Sequence, residues 1–195
     1  MRHLLLATRN AHKTLEFAEI LGAQFVVRDL SGQSEAPVVE ETGSTFSENA
    51  ILKALAISKR FPGFVVADDS GLAVDLLGDA PGVYSARYAG AGATDEENIA
   101  RLLSELRGLP DNGLINARFR CALALAREGE LLDTFEGAIE GTIVDPPRGE
   151  SGFGYDPIFQ PSGSIQTFAE LSSAEKNRIS HRARAIQLLR AALAK

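Results

Sequence analysis

The stretch Phe64-Val65-Val66-Ala67-Asp68-Asp69-Ser70-Gly71 decides how the rest of this 195-residue chain is read. Four apolar residues predict a buried strand. The two carboxylates and the Ser70-Gly71 pair that follow predict that the strand ends there in a tight bend. Successive side chains on a strand point to opposite faces, so Asp68 and Asp69 cannot both look into one pocket. One of them is then presented at a strand's carboxyl end, where open α/β sheets hold their ligands.

Upstream, residues 2–8 and 25–28 read as strands, with a helix over 11–21 between them, and 31–39 as a polar loop. Thr45 with Glu48, Thr94 with Glu97 and Ser172 with Glu175 are capping-box pairs. They predict helices running to Arg60, to about Leu106 and to about Leu193. Downstream of the bend, residues 72–76 read as a short strand and 78–92, rich in glycine, as an ordered loop. A turn is expected over 109–113, then strands over 118–127 and 131–139 joined at Glu128-Gly129. An edge strand over 141–145 stops at Pro146-Pro147, and a glycine-rich loop covers 149–154. Helices alternate with strands in the first half and the middle resembles an antiparallel hairpin, which predicts an α/β fold with a mixed sheet. With no repeats and no long linker, one domain over residues 1–195 is expected.

Composition bounds the function. The chain is 45% hydrophobic and 24% charged, ordinary for a soluble domain, and its net charge of -6 lacks the basic footprint that nucleic acid requires. A small anionic ligand is compatible with that charge, because local cations or a metal offset the global field. Cys121 is the single cysteine, so no internal disulfide can form, and its apolar setting reads as core. The run Leu4-Leu5-Leu6-Ala7 is too short for a signal segment and no stretch could span a bilayer, so a cytoplasmic location is expected.

Four clusters carry candidate chemistry. Thr8-Arg9-Asn10-Ala11-His12-Lys13 sits at a strand-to-helix junction, where unpaired N–H groups and the helix dipole bind anions; equally, Asn10 is a plain N-cap and Lys13 a solvated residue. The sequence is not a P-loop. Glu40-Glu41-Thr42-Gly43 precedes a capped helix, and with Asp69 it could complete a hard-oxygen magnesium site. In Ser151-Gly152-Phe153-Gly154-Tyr155-Asp156-Pro157, glycines flank an aromatic ring suited either to stacking on a nucleobase or to plugging the core. Within 173–182, Lys176 and Ser180 fall on one helical face, His181 and Arg182 diverge, and a charged amphipathic helix with a surface His explains most of the pattern.

In order and content these clusters resemble the inosine triphosphate pyrophosphatase (Ham1-like) family in its bacterial form, from Leu6 to beyond Arg182. The resemblance rests on Thr8-x-Asn10-x-x-Lys13, on Glu40-Glu41-Thr42-Gly43 with Glu48-Asn49-Ala50, and on Asp68-Asp69-Ser70-Gly71-Leu72. It rests equally on Phe153-Gly154-Tyr155-Asp156-Pro157 and Ser180-His181-Arg182. It implies a mixed central sheet flanked by helices, two lobes with an active-site cleft between them, and a homodimer. The implied reaction is Mg²⁺-dependent hydrolysis of the α–β phosphoanhydride of ITP, dITP and XTP to the monophosphate and pyrophosphate, clearing these nucleotides from the pool. Carried over, Thr8, Arg9, Asn10, Ala11, His12 and Lys13 would cradle the phosphates, and Ser70 would touch the substrate. Glu40 and Asp69 would hold Mg²⁺, with Glu41 the alternative to Glu40 and Asp69 also accepting a proton from water. Phe153, Gly154, Tyr155, Asp156, Lys176, His181 and Arg182 would form the base pocket, Phe153 by stacking. Arg9 and His12 stand where many members have smaller residues. The competing readings are another pyrophosphatase, such as a Maf-like or Nudix enzyme (whose Arg-Glu-x-x-Glu-Glu core is absent), and a non-catalytic nucleotide-binding module.

Overall fold

A computed structural model describes residues 2–110 and 113–194. Strands β1 (Arg2–Leu6), β2 (Phe25–Arg28), β3 (Phe64–Val74), β4 (Ile115–Arg127), β5 (Glu130–Ile143) and β6 (Phe159–Pro161) form one mixed sheet in the order β2-β1-β3-β4-β5-β6. β1 runs parallel to β2 and to β3, while β5 and β6 are antiparallel. Helices α1 (Ala11–Leu21), α2 (Phe46–Ser58), α3 (Asp95–Arg107), α4 (Ser173–Ile179) and α5 (His181–Leu193) complete the fold. No helix among the described residues is long and apolar enough to cross a membrane.

The chain divides within β3, β4 and β5 into two compact units. The first comprises residues up to 69, 121–137 and the chain from 181 onward; its core joins Leu4 and Leu6 of β1, Phe17 of α1, Val66 of β3, Leu123 of β4 and Ile186 of α5. The second comprises 70–120 and 138–180, and packs Leu72, Leu102, Phe119, Ile158, Phe159 and Phe168. Phe119 meets Phe159 edge-on at 4.7 Å between ring centroids, a favoured geometry for aromatic pairs. Burying such side chains is worth about 1.5–3 kcal/mol each, which is how two modest cores hold a chain of this length.

All three capping boxes form. Thr45, Thr94 and Ser172 each accept a hydrogen bond from the backbone N–H three residues on, and Glu48, Glu97 and Glu175 reach back. These contacts lie within one turn, so no distant residue decides them. α1 and β2 span the expected residues, and Glu128 and Gly129, at φ of 54° and 84°, make the tight turn between β4 and β5.

Three expectations fail. The chain does not bend at Ser70-Gly71: β3 runs unbroken from Phe64 to Val74, and the two carboxylates lie in its middle. Gly71 serves a close approach instead, since a Cβ there would lie 2.3 Å from the Ser85 hydroxyl and 2.7 Å from the Gly82 carbonyl. The expected strands 131–139 and 141–145 are one strand, β5, and the sheet edge belongs to β6. A Cβ at Gly141 would meet Gln160 O at 2.4 Å, so this glycine too is there for close strand pairing. The 78–92 stretch is the expected ordered loop, with a 3₁₀ turn over Gly82–Arg87. Finally, the last helix is two: Ser180 adopts extended backbone (φ -63°, ψ 159°), so Lys176 and Ser180 share no helical face. Residues 111 and 112 of the expected 109–113 turn lie outside the described residues.

Candidate functional site

In the first unit, the start of α1 follows β1 by four residues. Asn10 is the N-cap, its Oδ1 accepting from the His12 and Lys13 amides at 2.9 and 3.3 Å, and Thr8 Oγ1 accepts from the Asn10 amide. The turn is therefore held by its own side chains, with Ala11 and His12 exposed and Arg9 donating to the Ala36 carbonyl at 3.1 Å. Lys13 Nζ pairs with Asp68 Oδ1.

Strand alternation separates the two β3 carboxylates, as the sequence requires. Asp68 is fully buried and receives Lys13, Arg182 Nε at 2.8 Å and the Cys121 thiol at 3.3 Å. Arg182 is only 1% exposed, and its Nη1 also binds Glu16 Oε2 at 2.6 Å. Burial pushes the Asp68 carboxyl up, but Arg182 and Lys13 together pull it well below the ordinary value of 3.8. Burial and the Asp68 charge push the Cys121 thiol up, so it is an inert core residue.

Asp69 faces α2. Its Oδ1 accepts from Lys53 Nζ at 2.8 Å and its Oδ2 from Asn49 Nδ2 at 3.3 Å. Asn49 and Lys53 are four apart and so share a helical face. The same ammonium reaches Glu41 Oε1 at 2.7 Å and the Asp68 carbonyl at 2.9 Å. Three oxygens thus converge on one cation. Burial raises the Asp69 carboxyl above its ordinary value; Lys53 opposes this and Glu41 adds to it. Glu40, carried over as the metal ligand, is exposed, and Glu41 is the one that reaches Asp69 through Lys53. Lys53 lies outside the motifs that the sequence singles out; its signal is a lysine inside the apolar run of α2, one turn after Asn49.

The aromatic cluster lies in the second unit. Asp156, 2% exposed, accepts from the Phe153 amide at 3.0 Å and from Lys176 Nζ at 2.5 Å through Oδ2. Lys176 Nζ lies 4.9 Å from the centroid of the Phe153 ring and 5.6 Å from that of Phe168, a cation–π arrangement. Gly152, at φ of 79°, admits no side chain, because its Cβ would lie 2.1 Å from Asp156 Oδ2. Tyr155 is buried and donates to the Ser85 carbonyl at 2.9 Å, while Ser70 is half-buried on β3.

The model of the Ham1 family matches residues 4–192. The chain belongs to this family. Its Ham1 relatives include proteins named dITP/XTP pyrophosphatase from Bacillus licheniformis, 50% identical over 99% of this chain and 98% of the relative, and from Bacillus subtilis, 51% identical over 97% and 96%. Among solved structures, a HAM1 protein from Coxiella burnetii aligns over 100% of this chain and 99% of its own, at a TM-score of 0.88 and 41% identity.

Of the residues carried over from the Ham1 family, the first unit holds Thr8 to Lys13, Glu40, Asp69, His181 and Arg182, and the second holds Ser70, Phe153 to Asp156 and Lys176. His181, which the sequence reads as a surface or helix-capping residue, opens α5 and is 4% exposed, so it is not on the surface. The break at Ser180 starts α5 at His181, and a Cβ on Gly137 would lie 2.2 Å from the His181 carbonyl, so the helix start packs directly on β5.

The Asp68 network sets an acid limit. Its folded pKa lies below the unfolded one, so the folded state holds fewer protons between the two values and stability rises with pH there. That contribution is complete above 3.8 and is lost as pH falls toward the folded value. The gap in unfolding free energy between wild type and Asp68→Asn, measured by urea titration, is expected to stay constant at neutral and mildly acidic pH and to shrink below 3.8.

Proposed function

We propose that this chain hydrolyses non-canonical purine nucleoside triphosphates (dITP, XTP and ITP) to the monophosphate and pyrophosphate. The names of relatives at 50–51% identity over nearly both full lengths support the substrate class. The geometric support is the Asp69 carboxylate, gathered with Glu41 on the Lys53 ammonium, and burial raises its carboxyl above the ordinary value, the direction that favours a base.

Asp69 accepts the proton of the attacking water while the new phosphorus–oxygen bond forms and pyrophosphate departs with the anhydride oxygen. Lys13 and the residues from Thr8 to His12 take the phosphates, and Ser70 contacts the substrate. Phosphoanhydride cleavage depends on charge neutralisation and positioning, and Lys13 and Lys53 are the cations beside Asp68 and Asp69. No group of three or more His, Cys, Asp or Glu side chains suited to a metal occurs among the described residues. Two carboxylates still suit Mg²⁺, which takes one or two and leaves its other positions to water and phosphate. Asp69 would hold it with Glu41, which the convergence on Lys53 favours over Glu40. When bound, the ion offsets polyphosphate charge and acidifies nearby water.

Phe153 stacks the base, and Gly154, Tyr155, Asp156 and Lys176 of the same unit serve its recognition, while His181 and Arg182 belong to the other unit, where Arg182 is engaged with Asp68 and Glu16. A pocket whose donors meet a 6-oxo group leaves them unpaired against the 6-amino group of adenine, and Lys176 beside the Phe153 ring is such a donor. Residues 1–195 act as one domain, in a cytoplasmic homodimer without nucleic acid or membrane. A panel of nucleoside triphosphates with Mg²⁺, scored for pyrophosphate against orthophosphate, tests the activity. Pyrophosphate from dITP and XTP, and little from ATP, is expected; no release would leave the non-catalytic binding module. Phe153→Ala is expected to raise KM by the worth of one stacked base, about 1–3 kcal/mol.

A further inference from the structure

The loop that carries Phe153 is not held by packing alone. Phe153 stands between Gly152 and Gly154, at φ of 79° and 61°, residues that leave the backbone many alternatives. Residues 149–154 also border a cavity of about 550 Å³, so side chains do not back the loop on that side. On that side hydrogen bonds, rather than packed side chains, tie the loop to its neighbours. Ser151 N–H donates to the Ala169 carbonyl and Phe153 N–H to Asp156 Oδ2, and Gly154 N–H donates to Asp95 Oδ2 at 2.6 Å. Asp95 is the first residue of α3, directly after the Thr94 N-cap, so the capping box holds the backbone that carries its carboxylate. A short bond from an amide to a carboxylate is among the stronger hydrogen bonds and is directional.

We propose that Asp95 is a positioning residue for base recognition: by accepting from Gly154 N–H it anchors the Phe153 loop to α3 and sets the plane of the ring. This rests on the reading of Phe153 as the surface that stacks the base. Asp95 acts through the loop and not on a reacting atom, so its loss weakens substrate binding and spares the chemical step.

Steady-state hydrolysis of dITP with Mg²⁺ tests it. Asp95→Ala is expected to raise KM about tenfold, the worth of a hydrogen bond to a charged acceptor, with kcat within about twofold. Asp95→Asn keeps an oxygen in place and is expected to hold KM within about threefold of wild type. Glu96→Ala, which removes a carboxylate from the same helical turn, should leave KM unchanged. In a double-mutant cycle, Asp95→Ala with Phe153→Ala should be no worse than Phe153→Ala alone, because the anchor acts only through the ring. Should Asp95→Ala fail to fold, Asp95→Glu, which displaces the acceptor by one methylene, replaces it, with a KM rise of about threefold expected. An unchanged KM in Asp95→Ala, an equal rise in Asp95→Asn, or additive effects in the cycle would overturn the proposal. A raised KM in Phe153→Ala beside an unchanged one in Asp95→Ala removes Asp95 alone, whereas an unchanged KM in Phe153→Ala removes the stacking reading and the anchor with it.

Discussion

Asp69→Asn is expected to fold normally and to release pyrophosphate from dITP about a thousandfold more slowly than wild type, within the range that general bases contribute. The substitution is nearly isosteric. Lys53 keeps Glu41 Oε1 and the Asp68 carbonyl, so the side chain of α2 stays anchored while the proton acceptor is gone. Stability runs the other way from activity. Because the Asp69 carboxyl is raised on folding, the folded state binds its proton more tightly than the unfolded state does, and stability falls as pH rises through that window. At neutral pH the ionised Asp69 is therefore a cost, which the asparagine relieves in part while Lys53 loses one partner. The melting temperature should stay within a few degrees of wild type as turnover collapses. Wild-type activity should likewise fall in acid as Asp69 takes up its proton, at a pH higher than an unperturbed aspartate would give. Near-normal turnover in the variant would mean that another group takes the proton.

Arg182→Met is expected to lose about 3–5 kcal/mol of stability, the usual cost of breaking a buried ion pair and leaving a charge behind. Methionine fills much of the volume, so the loss reads the charges rather than a cavity. Asp68, with no exposed side-chain surface, would keep Lys13 as its charged partner beside the weak Cys121 thiol donor, and Glu16 would lose its Nη1 donor. Replacing both members of the Arg182–Asp68 pair tests the cause: Arg182→Met combined with Asp68→Leu should recover part of the deficit, since well-packed apolar groups often equal a buried pair, while Glu16 and Lys13 still lose these contacts. Equilibrium urea unfolding measures both. A single variant as stable as wild type would show that the Arg182 pairs contribute nothing net.

Much of the framework follows from contacts a few residues long. The Asn10 cap with its helix, the Thr45, Thr94 and Ser172 capping boxes, and the Glu128-Gly129 turn each close within a handful of residues, so the residues present are sufficient to specify them. The opposite orientation of Asp68 and Asp69 is legible for the same reason, because alternation is a property of any strand. The ordered motifs of the Ham1 family were legible as well, and the match over 4–192 agrees with them.

What could not be read depends on partners far along the chain. Ser70-Gly71 has the composition of a bend. It is strand because β3 carries on through it and Ser85 fills the space a side chain would take. Glu41 rather than Glu40 meets Asp69 because Lys53, twelve residues beyond it, reaches both. Arg182 looked like one more charge on an amphipathic helix, yet the break at Ser180 and the Asp68 carboxylate, 114 residues away, make it one of the most buried side chains in the protein. The amino-acid order alone determined caps, alternation and family, since their energies are local. Tertiary packing decided which charges are buried together, because desolvation and pairing act on whatever the fold brings within a few ångströms.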